Sequence, residues 1–275
     1  MFKAKKKGKT MKSIAKMMVG AAVMTVFGTI SAQELPASLN KAADWNKNAN
    51  VADADGVINV KKQTPLFSKK FDIDPKKKYT LKLSVRAVNQ KNEKDKSMVY
   101  AGFTVFDKKG RTIGSINSSV APKTMTEVVE DAAKGATVIK IKDGSKFAKK
   151  WGVIVTGAKA DLSDLPNFNF IGNIKSIESK DGVWEVTLER PLAREVKAGT
   201  VIREHMRGGY LYTAGYKQIG KDWVVMSGSI SGMKAGTWNY KIWPAGAVKA
   251  RIVILANWGK KDLETQFKDI SLTAE

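Results

Sequence analysis

The chain has 275 residues, with 48 lysines and arginines against 26 acids, a formal net charge of +22, one histidine and no cysteine. The lack of cysteine excludes disulfides, thiolate metal sites and thiol nucleophiles, and this length allows a core that needs no cross-links. The charge favours polyanions such as acidic polysaccharide, an anionic cell surface or nucleic acid, and it is equally compatible with a plain solvated lysine-rich surface.

The sequence opens MFKAKKKGKTMKSIAKMMVGAAVMTVFGTISAQE, in which seven lysines and no acid precede an apolar run from Met17 to Ile30. A cationic leader, a short hydrophobic stretch and small residues are the layout of a secretory signal peptide, here residues 1–32 with cleavage expected after Ala32. The run is shorter than the roughly 20 residues of a bilayer span, so a membrane is involved only if the segment stays uncleaved. The expectation is a secreted, extracellular or cell-surface protein, with the periplasm as an alternative. Without the seven leader lysines the chain still carries +15.

QELPASLNKAADWNKNANV follows, a stretch able to act as an extended arm that adds to a neighbour's sheet edge. KYTLKLSVRAVN then alternates Tyr79, Leu81, Leu83, Val85 and Ala87 with polar residues, the mark of a half-buried antiparallel strand. MVYAGFTVFDKKGRTIGSI reads as two strands around a DKKG turn. Between residues 126 and 205 the rhythm changes to five short strands joined by tight turns. That segment holds 13 basic and 12 acidic residues, whereas residues 33–125 and 206–275 together hold 28 and 14. The excess charge thus sits on the flanks, and a near-neutral small β-domain reads as inserted into a basic one. After it, GGYLYTAGYKQIGKDW places Tyr210, Tyr212 and Tyr216 on one side of a strand. WVVMSGSISG, TWNYKIWP, AVKARIVILANW and ETQFKDISL supply four more strands. Many short strands at regular spacing indicate an all-β sandwich or barrel.

The outer module resembles the jelly-roll carbohydrate-binding modules with a galactose-binding-like fold, of the kind grouped as families four and nine. The resemblance rests on KYTLKLSVRA, YAGFTVFDKKGRTIG, DWVVMSGSISG, VKARIVILAN and the closing FKDISL, about 160 residues of pattern rather than identity. The insert resembles small β-domains of bacterial surface and polysaccharide-related proteins. The resulting expectation is an all-β chain: an antiparallel jelly-roll β-sandwich over 33–125 and 206–275, interrupted by a small β-barrel-like domain at 126–205.

The resemblance implies sugar binding through exposed rings that stack on pyranose faces. Tyr212, Trp243 at a strand end and Trp258 in a turn are the ring candidates, while Trp223 and Trp184 are assigned to cores. Arg86 and Arg207 are the candidate cations for carboxylate or sulfate groups of an acidic glycan, with Arg111 and Lys241 also on or beside strands. Modules of this kind often hold a structural calcium between an early loop and the last strand. Asp53, Asp55 and Asp269 would be its ligands here; otherwise Asp53 and Asp55 simply form a turn.

Catalysis has little support. His205 is the single histidine and sits at the junction of the two modules, and no HExxH, GxSxG or complete P-loop motif GxxxxGK[ST] occurs. Nucleic acid would explain charge and rings together, but the leader, the excess of lysine over arginine and the lack of a motif argue against it. The expectation is therefore a non-enzymatic binder of an anionic or cell-surface polysaccharide. The alternative is a self-associating structural subunit of an extracellular filament, surface layer or matrix.

Overall fold

Alternation every second residue produces strands throughout the part of the chain that the structure, a computed structural model, describes: residues 35–92, 94, 96–148 and 151–275. The expected signal peptide, residues 1–32, falls outside the described residues. The first strands are β1 (Val51–Ala54), β2 (Val57–Lys61), β3 (Thr64–Phe67), β4 (Phe71–Asp72), β5 (Tyr79–Ala87), β6 (Ser97–Phe106) and β7 (Thr112–Ile113), followed by one helical turn, α1 (Ser115–Ser118). The middle holds β8 (Thr126–Glu127), β9 (Val138–Ile141), β10 (Gly152–Thr156), β11 (Phe170–Lys180), β12 (Val183–Leu188) and β13 (Val201–Met206). The chain ends with β14 (Leu211–Ile219), β15 (Val224–Ile230), β16 (Met233–Lys234), β17 (Trp243–Pro244), β18 (Lys249–Trp258) and β19 (Glu264–Ala274).

These strands make an all-β antiparallel sandwich. One sheet has the order β1-β2-β19-β5-β15, the other β14-β6-β18-β3 with β4 and β7 at its margins. β14, β15, β18 and β19 alternate between the two sheets. The apolar set of β5 points inward as its alternation requires, and Tyr79, Leu81, Leu83, Val85 and Ala87 meet Phe103, Ile252, Ile254 and Phe267 in one core. Asp55 and Gly56, with φ of 50° and 75°, close the β1–β2 hairpin, a type I′ turn whose twist matches that of the strands.

The middle strands form a separate six-stranded sheet, β8-β13-β10-β11-β12-β9. A bridge between Val128 and Ile141 and the bond from Lys142 N to Glu127 O, 2.9 Å, bring its two edges together. The sheet thereby curls into a near-barrel around Ile139, Ile154, Ile174, Val186, Leu188 and Ile202. Trp184 packs against this cluster half-buried. Both cores belong to one compact unit.

A buried polar cluster ties the near-barrel to α1. Arg203 Nη2 bonds Asp164 Oδ2 at 2.8 Å, Arg203 Nε donates to His205 Nε2 at 3.1 Å, and His205 Nδ1 lies 2.8 Å from Ile116 O. Arginine carries only donors, so Nε2 is the acceptor and Nδ1 holds the proton. His205 is wholly buried, and burial, with the Arg203 charge beside it, lowers its pKa to about 4.

Residues 35–50 are not a free arm. Leu39 and Trp45 enter the sandwich core, Trp45 Nε1 donates to Leu39 O at 3.1 Å, and Ile270 N donates to Asn40 Oδ1 at 2.9 Å. Burial of a tryptophan and a leucine outweighs the freedom an arm would keep.

Candidate functional site

The tyrosines after the glycine pair lie on the face of the β14-β6-β18-β3 sheet that is turned away from the core. Their placement depends on an irregularity in β14: Leu211 pairs with Phe103 and Gly215 with Ala101, so four steps on one strand oppose two on the other. The two extra residues preserve parity, and Tyr212 and Tyr216 stay on the outer face together. The bulge needs glycine beneath and beside it. A Cβ on Gly102 would stand 1.8 Å from Leu211 O, and one on Gly228 would stand 1.8 Å from Thr213 O. Gly215 supplies a φ of 85° that other residues resist.

Six rings meet on this face. Centroid steps are 6.2 Å from Phe67 to Tyr210, 6.2 Å from Tyr210 to Tyr212, 4.8 Å from Tyr212 to Tyr100 and 5.5 Å from Tyr100 to Tyr216. Tyr240 joins Tyr212 at 5.8 Å. Interplanar angles between 31° and 82° make the strip faceted rather than flat. Beneath it Val253 and Leu255 are buried although they point away from the core. Tyr216 is 63% exposed and Tyr240 39%. Burial pushes the Tyr212 hydroxyl above its usual pKa.

Cations border the strip. The Arg251 guanidinium lies 3.9 Å from the Phe67 ring centre and 5.4 Å from that of Phe106, and Lys70 Nζ sits 3.9 Å from Phe106. Partial burial lowers the Arg251 pKa, but arginine remains charged at any physiological pH. On the same face, an irregularity before Trp258, with Asn257 at φ 56°, pairs Trp258 with Met98 and leaves its ring 42% exposed.

The structure thus brings Tyr212 and Trp258 to one face and scatters the other expected site residues. Trp243 is not an exposed ring: it is fully buried against Tyr79 and Phe103, at 5.6 and 5.2 Å. The parallel pairing of β16 with β17 folds this segment inward, against the core. Arg86 lies on the outer face of the opposite sheet, where its Nε donates to Gln266 Oε1 at 2.8 Å and its guanidinium lies 4.8 Å from the Trp223 ring. Trp223 is correspondingly half-buried between Arg86 and Lys268 rather than in the core. Arg207 pairs with Glu189 at 2.9 Å and faces the exposed Trp151 ring at 5.8 Å. Arg111 pairs with Asp107 at 2.7 Å and stacks 3.7 Å from Phe168.

The three aspartates do not converge either. Asp53 Oδ1 accepts from Ala42 N at 2.7 Å, Asp55 is a turn residue, and Asp269 Oδ2 accepts from Ser84 Oγ at 3.1 Å. Among the described residues no group of three or more His, Asp or Glu is arranged to hold a metal ion. The near-barrel carries a cavity of about 630 Å³ lined by Phe170, Asn173, Leu192, Arg190 and Arg194.

Arg251 was hidden in the sequence because β18 is apolar on both faces, and Tyr100 because β6 carries rings on both of its faces. RIVIL reads as one buried run, and only the parity of Arg251 against Ala250 and Ile252 marks which side is outward. No family model matches the chain, and no curated protein matches its sequence.

Proposed function

We propose that the protein is a secreted or cell-surface, non-catalytic carbohydrate-binding protein whose ligand is an anionic or cell-surface polysaccharide laid along the outer face of the β14-β6-β18-β3 sheet. The observation that carries this reading is the chain of six rings on the side of the sheet away from the core. Aromatic faces offer apolar area with little entropy to lose, the property that stacking on a pyranose needs. Arg251 and Lys70, already seated over rings, lie where carboxylate or sulfate groups of a stacked chain would come. The basic excess of the flanking segments attracts such a polymer from a distance. The buried His205, with both ring nitrogens engaged, has no route to a substrate, which favours binding over acid–base chemistry.

The test is binding to polyuronates and sulfated glycans by titration calorimetry or affinity electrophoresis. Replacement of Tyr216 or Trp258 by alanine is expected to weaken binding about tenfold each, the worth of one stacking contact. Unchanged affinity in the double variant would overturn the reading.

A further inference from the structure

The cavity of about 630 Å³ on the near-barrel shares no residue with the ring strip. Small-molecule sites usually occupy roughly 300–1,000 Å³ and are lined mainly by apolar side chains with a few polar groups. A bulge shapes one wall of this one. Ile154 pairs with Gly172 and Val155 with Phe170, which leaves Ile171 as the extra residue. A bulge re-aims side chains that strict alternation would send to opposite faces, and the neighbours Phe170 and Ile171 both line the cavity. Phe170 is 53% exposed. Residues 190–194 form the other wall, and main-chain bonds hold them in place. Glu189 N donates to Asn173 O at 2.9 Å, Leu192 N to Ala136 O at 2.8 Å and Val196 N to Ala132 O at 2.9 Å. Leu192 itself is buried in the near-barrel core.

Arg190 and Arg194 both line this cavity, and no acid does. The acids beside them in sequence are engaged elsewhere. Glu189 accepts from Asn173 Nδ2 and from Arg207 Nη2, each at 2.9 Å, and Glu195 pairs with Lys197. Arg194 Nη2 donates to Thr156 Oγ1 at 3.3 Å, whereas Arg190 makes no hydrogen bond or ion pair among the described residues. Residues 126–205 are otherwise nearly balanced, with 13 basic and 12 acidic residues. The two arginines are therefore a local feature, not a part of the basic field of the flanking segments. We propose that the cavity binds a compact organic anion, with one carboxylate or sulfate head held by Arg190 and Arg194 and an apolar body packed on Phe170, Ile171, Pro191 and Leu192. The guanidinium fork matches either head. A sugar acid carries the charge but also several hydroxyls, and each one left unpaired against apolar walls weakens binding about tenfold. The cavity is thus a second site with its own ligand class, and it does not rest on the glycan reading of the aromatic face.

The experiment is titration calorimetry of the intact protein with four probes: 4-phenylbutyrate, octanoate, the neutral 4-phenylbutanol and glucuronate. At least one of the first two is expected to saturate a single site. Tighter binding of 4-phenylbutyrate identifies a ring as the preferred body, and tighter binding of octanoate identifies a chain. The alcohol, which lacks the charge, and glucuronate, which lacks the apolar body, are each expected to bind at least about tenfold more weakly. Arg190→Gln and Arg194→Gln are each expected to weaken the anion about tenfold, and Phe170→Ala about fivefold. The comparison of anion with alcohol needs no variant, so it decides the matter even where a substitution disturbs folding. Absence of saturable binding by both apolar anions overturns the inference. So does equal binding of the alcohol or of glucuronate, or an affinity that survives in the double arginine variant. Polyuronate binding to the ring strip is measured separately, and either result stands if the other fails.

Discussion

The outer faces of the two sheets follow the same period-two rule and reach opposite results. On the five-stranded sheet the outward residues are mostly polar, Val225 and Trp223 apart, and many bond one another in rows, as in Arg86–Gln266–Asn59 and Thr80–Ser229. On the four-stranded sheet the outward positions of β18 are Arg251, Val253 and Leu255, and the rings of β3, β6 and β14 roof them. The first is the ordinary amphipathic sheet with one wetted face. The second is apolar on both sides, and large exposed apolar surface in a monomer marks a place of contact. The contrast singles out the candidate face where composition alone could not, because both faces contain aromatic and basic residues.

The strongest way to break the comparison is to confuse the two kinds of ring. Trp243→Ala is expected to destabilise the fold by about 4 kcal/mol through an emptied core site, measured by urea unfolding. Tyr216→Ala should leave the urea midpoint nearly unchanged while binding weakens. A small stability loss for Trp243→Ala would contradict its placement. Next, Gly102→Ala sets a methyl against the β14 backbone and is expected to cost about 3 kcal/mol and disperse the ring strip. A variant of wild-type stability would show that the bulge is not pinned there.

Acid should act on the junction rather than on either face. The native His205 takes up its proton only near pH 4, whereas in the unfolded chain it does so near 6.5. Between those values the unfolded chain holds the extra proton, so stability falls as pH drops through the window and levels off below it. The full effect is about 3 kcal/mol. Glu204, whose carboxyl burial pushes upward, titrates in the opposite sense, so the urea series belongs in a Glu204→Gln background. A flat profile there would mean that the imidazole is not buried neutral. The smallest expected effect sharpens the contrast of faces: Arg86→Ala should change glycan affinity by less than twofold, against about tenfold for Trp258→Ala. Equal losses would erase the distinction.

Sequence reading reached the fold more fully than the site. Alternation in KYTLKLSVRAVN placed every inward residue of β5, because a strand with one wetted face records its burial in its own pattern. The shared parity of Tyr210, Tyr212 and Tyr216 was equally local, and an even number of extra residues in the bulge left it intact. Trp243 and Trp258 could not be told apart, since each ends a strand next to a turn and only the surrounding chain buries one and exposes the other. Asp53, Asp55 and Asp269 looked alike for the same reason: separation in sequence does not say whether carboxylates converge.

By itself the sequence determined an all-β chain, its strand faces, its charge asymmetry and the common side of the three tyrosines, all properties of short segments. Which side faced outward was a tertiary decision, made when two sheets closed over one another and β18 was left with apolar residues on both faces. So was the gathering of Phe67, Tyr100 and Tyr240 around Tyr210 and Tyr212, because these groups come from strands and turns far apart in the chain and meet only through packing.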